Sequence, residues 1–360
     1  MTQEIVNSVL QFIDHGDTSD EAFNEQALRL FRYQYKHNLP FQMFCRQKGK
    51  TPRMVKTWKD IPAVPINGFK ELTLSSSDPE TAEDVFMTSG TTKGIRGKHY
   101  HPTLTVYDRS MYVNFKERFM NGKDRMKMGI LYPTEEEMPN SSLSHYLALA
   151  FKEFGSKDSQ YFVSNDGLLV EPLLKELEHA EKSGEPLALL GASFSFVHLF
   201  EAMQTRGISF QLPKGSRILD TGGFKNKSKE LDLETFYSKL YELLGVDPAN
   251  CINMYGMTEL STQFYDSGND IVPSVKSGPH WIRTRVINPL TGEEVVKGER
   301  GVLVHCDLAN FNSVTTILTE DVGKEKAEGF LLLGRVQGAE AKGCSIAVDE
   351  FLQAAKGSSR

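Results

Sequence analysis

The chain has 360 residues, 39% hydrophobic and 24% charged, with 29 Gly and 15 Pro. This is the composition of a soluble globular enzyme and excludes a disordered or collagen-like chain. The 41 Lys+Arg against 47 Asp+Glu leave a formal charge of −6, which excludes a nucleic-acid binder held by bulk positive charge; any anionic ligand must be held by local groups.

Ile5, Val9, Phe12 and Ile13, then Phe23, Ala27, Leu30 and Phe31, recur at helical spacing, with Ser19 and Asp20 as capping candidates between them, so the chain opens with two amphipathic helices. No basic flank precedes an apolar core there, so no secretory signal is expected. Asp84–Met87 reads as a strand running into a polar loop at 88–94. Beyond it, apolar runs at 128–132, 160–163, 187–190 and 216–219 alternate with helical stretches at 142–154, 171–182 and 231–244. That alternation predicts an α/β fold of parallel or mixed sheets covered by helices. The run 187–200 is interrupted by Gly191, Ser193, Ser195 and His198, too short and polar for a membrane span. After about Tyr255, short segments at 281–287, 301–305, 313–318 and 329–333 predict a smaller, antiparallel β-rich region. A last helix is expected over 346–355, with Ala347, Val348, Phe351, Leu352 and Ala355 on one face. The four cysteines form no C-x-x-C pair, which fits a reducing cytoplasm better than a disulfide framework or zinc ribbon.

Five stretches could carry chemistry. The loop Thr88-Ser89-Gly90-Thr91-Thr92-Lys93-Gly94 gathers hydroxyls, glycine N–H groups and an ammonium that could surround a polyphosphate, although it lacks Walker spacing and reads alternatively as a solvated surface loop. Tyr255-Gly256-Met257-Thr258-Glu259 follows a strand-like 251–254, and the C-terminal edge of a sheet is where α/β proteins place ligands. There Tyr255 offers an aromatic face, Thr258 a phosphate-directed hydroxyl and Glu259 a hard oxygen ligand for Mg²⁺; the alternative is a plain strand, turn and helix. Gly222-Gly223, after the strand-like 217–219, allows close approach of a flat ligand such as a purine, or is only a turn. Asp321 could accept from ribose hydroxyls and Arg335 donate to them, although each alone reads as part of a surface turn.

In this order and at these separations the stretches resemble the ANL superfamily of adenylate-forming acyl synthetases, over about 84–345. The resemblance implies an ANL-type adenylating domain in which 88–92 is the phosphate loop, 255–259 the Y-G-x-T-E motif, Gly222-Gly223 the adenine-contacting loop, Asp321 the ribose aspartate and Gly334-Arg335 the hinge. Two departures stand out: Lys93 occupies a position usually held by glycine, and about 26 residues follow Gly334 where the superfamily carries a C-terminal domain with a catalytic lysine. Lys342 and Lys356 lie too close to the hinge to be assigned that role. The expected organisation is a large adenylating domain over 1–333 and a short hinge and helix segment over 334–360, with the C-terminal domain truncated.

That truncation, with Gly343-Cys344-Ser345 beyond the hinge, resembles one branch, the acyl-protein synthetases of the LuxE family. It implies that Cys344 accepts the acyl group and hands it to a reductase-like partner protein. Placed directly before a helix over 346–355 and beside Lys342 and Arg335, Cys344 should have a lowered pKa; the alternative is a buried small residue. Cys45, Cys251 and Cys306 read as core. His145, within 141–147, could polarise or orient the substrate carboxylate, or be a helix histidine satisfied by a neighbour. His99 and His101 show no zinc-ligand spacing. The expected reaction uses ATP and Mg²⁺ to turn a fatty acid into an acyl adenylate, then a Cys344 thioester, in the cytoplasm and without membrane insertion or nucleic acid. A ligase using free coenzyme A and a catalytically silent nucleotide-binding relative are the alternatives.

Overall fold

The apolar spacing of the N-terminal segment becomes the helices Thr2–His15 and Asp20–His37, which bury Ile5, Val9 and Ile13 and then Phe23, Ala27, Leu30 and Phe31. Ser19 caps the second, its Oγ accepting from the Ala22 N–H at 3.2 Å. A third helix, Leu39–Gln47, has no expected counterpart; it begins at Asn38, whose side chain accepts from the Phe41 N–H. The computed structural model describes residues 2–15, 17–89, 95–222 and 231–356. These form two units: Met1–Met111 with Met257–Thr262 and Val275–Arg360, and Tyr112–Gly256 with Gln263–Ser274.

In the first unit, Ile282–Ile287, Arg300–Asp307, Thr316–Lys326, Gly329–Arg335 and Val275–Lys276 form an antiparallel sheet in that order. The short strand Val64–Pro65 joins Thr316–Lys326 in parallel. Asp84–Met87 pairs with Lys98–His101 as a separate antiparallel pair, with Met87 opposite Lys98. The second unit carries the expected parallel sheet. Gln160–Tyr161, Lys127–Leu131, Leu187–Ala192, Arg217–Thr221 and Cys251–Tyr255 are neighbours in that order, with Phe264–Tyr265 antiparallel at the edge. Leu187–Ala192 is buried throughout, as a parallel strand covered on both faces must be. The helices Val170–Ser183, Ser193–Arg206 and Leu233–Leu244 contribute Leu173, Leu177, Phe196, Leu199, Phe236 and Leu240 to its core.

Two expectations about the chain's last third are corrected. The stretches 319–323 and 334–335 are not turns but lie inside the long strands Thr316–Lys326 and Gly329–Arg335, where Asp321 faces Arg335 across the ladder. The register shifts between Val322 and Gly323. The last helix begins at Gly338, not near 346, and Gly343 lies within it. Glycine is required there by close approach rather than by a turn, because an added Cβ would come within 2.9 Å of Pro289 side-chain atoms.

Candidate active site

Glu259 lies in the first unit on the segment Met257–Thr262, which is anchored through its backbone. Asp307 is wholly buried, and its Oδ2 accepts from the Ser261 and Thr262 N–H groups at 3.0 and 2.9 Å while Oδ1 accepts from the Thr262 hydroxyl at 2.7 Å. Asn310 adds a bond from its amide to the Glu259 carbonyl at 2.8 Å and accepts from the Ser261 N–H at 2.8 Å. His99, on the strand Lys98–His101, bonds the Thr258 carbonyl through Nδ1 at 2.9 Å and Ser313 Oγ through Nε2 at 3.0 Å. A carbonyl only accepts, so Nδ1 carries the proton and Nε2 accepts from the hydroxyl. Burial depresses this histidine to about 4, which keeps it neutral.

The Glu259 side chain is itself desolvated. Burial pushes its carboxyl up to about 7; its own backbone amide, Lys70 and Arg335 oppose the rise and Asp321 adds to it. The structure thus brings Glu259, Asp321 and Arg335 into one electrostatic neighbourhood. Arg335 Nη1 lies 3.1 Å from Asp321 Oδ1, and its Nη2 lies 3.6 Å from Glu320 Oε2. Glu320 also accepts from the Asn67 amide at 2.6 Å, and Asn67 in turn accepts from Lys70 Nζ at 3.0 Å. Sequence reading missed Asn67, Lys70, His99, Asp307, Asn310 and Glu320 as members of this network. They lie up to about 250 residues from the groups they hold, as with the Asn67–Glu320 pair, separated by 253, and no local spacing marks them.

In the second unit, Tyr255 and Gly256 close the strand Cys251–Tyr255, and Tyr255 packs 5.9 Å from Phe264. Gly222, at φ 82°, follows the strand Arg217–Thr221, in a backbone region that favours glycine. Below it the buried Asp220 accepts from Ser193 Oγ and Tyr237 Oη at 3.0 Å each and from the Asn253 amide at 2.7 Å. His145, on the helix Ser142–Phe154, pairs with Glu135 at 2.5 Å. Thr88 and Ser89 directly follow the strand Asp84–Met87, whereas Gly90, Thr91, Thr92, Lys93, Gly94 and Gly223 lie outside the described residues.

The environment expected for Cys344 is overturned. It sits inside the helix Gly338–Lys356, beyond the first turn over which a helix dipole acts, and is 5% exposed. Burial pushes its thiol up to about 11, with the charges of Glu320 and Glu340 adding to the rise. Its Sγ makes a long contact of 3.8 Å with the Thr319 carbonyl, on the strand that carries Asp321. Cys45, Cys251 and Cys306 are buried as expected. Among the described residues no group of three His, Cys, Asp or Glu side chains forms a metal cluster, and no helix is long and apolar enough to cross a membrane.

A family model described as acyl-protein synthetase, LuxE, matches residues 4–353. The chain belongs to this family. Its relatives include two proteins named long-chain-fatty-acid–luciferin-component ligase: that of Vibrio harveyi is 23% identical and that of Aliivibrio fischeri 24%, each over 336 residues spanning 90% of this chain and 86% of the relative. Among solved structures, an open conformation of 2-hydroxyisobutyryl-CoA ligase superposes with a TM-score of 0.64 at 13% identity, covering 88% of this chain and 74% of the other. ATP-bound MatB from Rhodopseudomonas palustris superposes with a TM-score of 0.51 at 15% identity, covering 72% and 49%. These likenesses show the fold, and the ANL-type α/β architecture read from the sequence stands. This LuxE-family chain is an acyl ligase.

Proposed function

We propose that the protein activates a long-chain fatty acid as its acyl adenylate and then carries the acyl group on Cys344 for an acceptor protein of the reductase kind. The observation that carries this is the electrostatic cluster of Glu259, Asp321 and Arg335, three groups named for nucleotide binding by their sequence pattern. The names of the two bacterial relatives support the fatty acid and the protein acceptor. In the first half-reaction a carboxylate oxygen attacks the α-phosphorus of ATP, the bond to the bridging oxygen breaks, and pyrophosphate leaves with the electron pair. Thr88, Ser89, Gly90, Thr91, Thr92, Lys93 and Gly94 would hold the β- and γ-phosphates and Thr258 the α-phosphate. Gly222, Gly223, Tyr255 and Gly256 would bound the adenine, Asp321 and Arg335 the ribose, and His145 would orient the fatty carboxylate.

Glu259 fits Mg²⁺, since a desolvated carboxyl poised near 7 is driven to its ionised form by a cation, and Mg²⁺ is commonly held by one or two carboxylates plus substrate phosphates. The ion, when bound, supplies charge neutralisation on the phosphates. In the second half-reaction the Cys344 thiolate attacks the acyl carbonyl and AMP leaves. A thiol pushed up to about 11 and 5% exposed is a poor nucleophile as it stands, so thioester formation requires the helix Gly338–Lys356 to shift and release it.

The same burial favours a second reading, in which free coenzyme A is the acceptor and Cys344 is structural. Intact-mass measurement after incubation with ATP, Mg²⁺ and fatty acids of increasing length separates the two. The first reading expects one hydroxylamine-labile acyl group per chain without coenzyme A. Product formation only on addition of coenzyme A, with an unlabelled chain, establishes the second.

A further inference from the structure

The two cations near Glu259 are not equivalent. Arg335 faces carboxylates on both sides, Asp321 at 3.1 Å and Glu320 at 3.6 Å. Lys70 Nζ instead donates to the neutral Oδ1 of Asn67 at 3.0 Å, and among the described residues no carboxylate stands within ion-pair distance of it. A half-buried ammonium held only by an amide has charge to offer.

Its position is set by the rest of the first unit. The strand Val64–Pro65 pairs with Thr316–Lys326, and the Ile66 N–H donates to the Leu318 carbonyl at 2.9 Å. The short helix Gly68–Glu71, which carries Lys70, begins where a Cβ on Gly68 would meet Phe351 at 2.7 Å, so the backbone there is packed without slack. The lysine's stem runs beside Thr88 and Gly97: a Cβ on Gly97 would lie 3.4 Å from Lys70 Cγ and 3.2 Å from Thr88 Cγ2. Thr88 and Gly97 bond to each other, the Thr88 N–H donating to the Gly97 carbonyl at 3.0 Å and the Gly97 N–H to Thr88 Oγ1 at 2.9 Å. Lys70 therefore lies beside Thr88 and Gly97, and its charge is felt at Glu259.

We propose that Lys70 is a catalytic residue of acyl adenylate formation, its ammonium exchanging Asn67 for the β- and γ-phosphates of ATP and then hydrogen-bonding the departing pyrophosphate. The lysine keeps its proton throughout. As the carboxylate oxygen bonds to the α-phosphorus, the electron pair of the breaking P–O bond passes to pyrophosphate, and the ammonium meets the charge that develops there. Replacing a neutral amide acceptor by an anionic phosphate oxygen adds ion-pair attraction to the bond the ammonium already donates, so the exchange is favoured only when nucleotide is present. This inference rests on the proposed function, with the polyphosphate lying beside Thr88 and Glu259.

Lys70→Ala should slow single-turnover formation of acyl adenylate roughly 10²-fold with KM for the fatty acid little changed, and Lys70→Arg should recover most of the rate. Supplied with synthetic acyl adenylate, Lys70→Ala should acylate Cys344 as the wild type does, since the lysine acts before AMP is attached. On the wild-type protein, limited acetylation by acetic anhydride should modify Lys70, and MgATP should protect it without protecting Lys152, whose side chain is 78% exposed. Adenylation by Lys70→Ala within about threefold of wild type, unchanged labelling of Lys70 with MgATP, or equal loss in the Ala and Arg variants together with loss of acylation from synthetic adenylate overturns the proposal. Should the wild type form no acyl adenylate, the functional reading fails, while protection of Lys70 by MgATP still decides whether it meets the phosphates.

Discussion

Glu259 and Cys344 lie in the same unit and are held in opposite ways. The Glu259 segment is tied by its backbone to His99, Asp307 and Asn310, so the carboxyl stays fixed while its side chain remains available to titrate near neutrality. Cys344 is held by packing. It shares a cluster with Ile287, Val302, Val304 and Leu318, and its helix is pinned by Phe351 edge-on to Phe44 at 5.0 Å and by the Arg300–Glu340 pair. Hydrogen bonds to buried backbone groups are costly to break, whereas a helix docked on one apolar face can leave as a body. On the proposed function, Glu259 stands fixed for adenylation while Cys344 is stored, which would order the two half-reactions.

The sharpest break in that comparison is Cys344→Ser. It should abolish hydroxylamine-labile acylation outright while single-turnover pyrophosphate release persists, and intact mass checks both. Labelling that survives in the variant removes Cys344 from the reaction. Next in size, Glu259→Gln should lower acyl-dependent pyrophosphate exchange at least about hundredfold with the fold intact, because it removes the charge proposed to hold the Mg²⁺ that neutralises the phosphates. The pH behaviour has a definite sign. The folded carboxyl is raised to about 7, so wild-type adenylation should fall as pH drops through that value. Its contribution to stability runs the other way, being present below the unfolded pKa of about 4.3 and lost as pH rises through about 7. Thermal melts should therefore find wild type and Glu259→Gln alike near pH 4, with the variant gaining on wild type above neutrality.

Much of the fold was legible in the sequence because the second unit's strands are continuous apolar runs and its helices are amphipathic, signals that need no tertiary knowledge. Helix 142–154 was read to its ends. Cys344 shows where local reading fails: Gly343 signals a turn by composition, yet it marks a helix pressed against Pro289. The expected thiolate rested on a helix start at the wrong place, and the neighbours that raise the thiol, Glu320 and Glu340, include one from a strand read as a turn. Asp321 and Arg335 were named from their motif, but their facing positions emerged only once both stretches proved to be paired strands. Lys70 carries no motif at all.

If the helix Gly338–Lys356 is stored by packing, its apolar anchor should matter far more than its surface ions. Phe351 is fully buried, and Phe351→Ala removes a ring whose loss from a core costs about 3–5 kcal/mol; if about 2 kcal/mol of that falls on docking, Cys344 should alkylate with iodoacetamide roughly thirtyfold faster. Cys45, Cys251 and Cys306 should stay protected.

The smallest effect separates burial from charge at the thiol. Arg300 grips Glu340 with two nitrogens at 2.9 and 3.0 Å, but the arginine side chain is 50% exposed, so breaking the pair should loosen the helix by no more than about 1 kcal/mol, less than about fivefold in alkylation rate. The two ways of breaking it are not alike. Arg300→Gln leaves Glu340 without its cation, and that carboxylate raises the thiol further, so slight loosening and a scarcer thiolate oppose each other and the rate should barely move. Glu340→Gln breaks the same pair and also removes a negative charge beside the sulfur, so both effects act together. It should raise the rate and shift the alkylation pH profile of Cys344 toward lower pH. Equal rates and superimposable profiles for the two variants would mean that burial alone governs the thiol, and that the acidic neighbours play no part in keeping it unreactive until the helix moves.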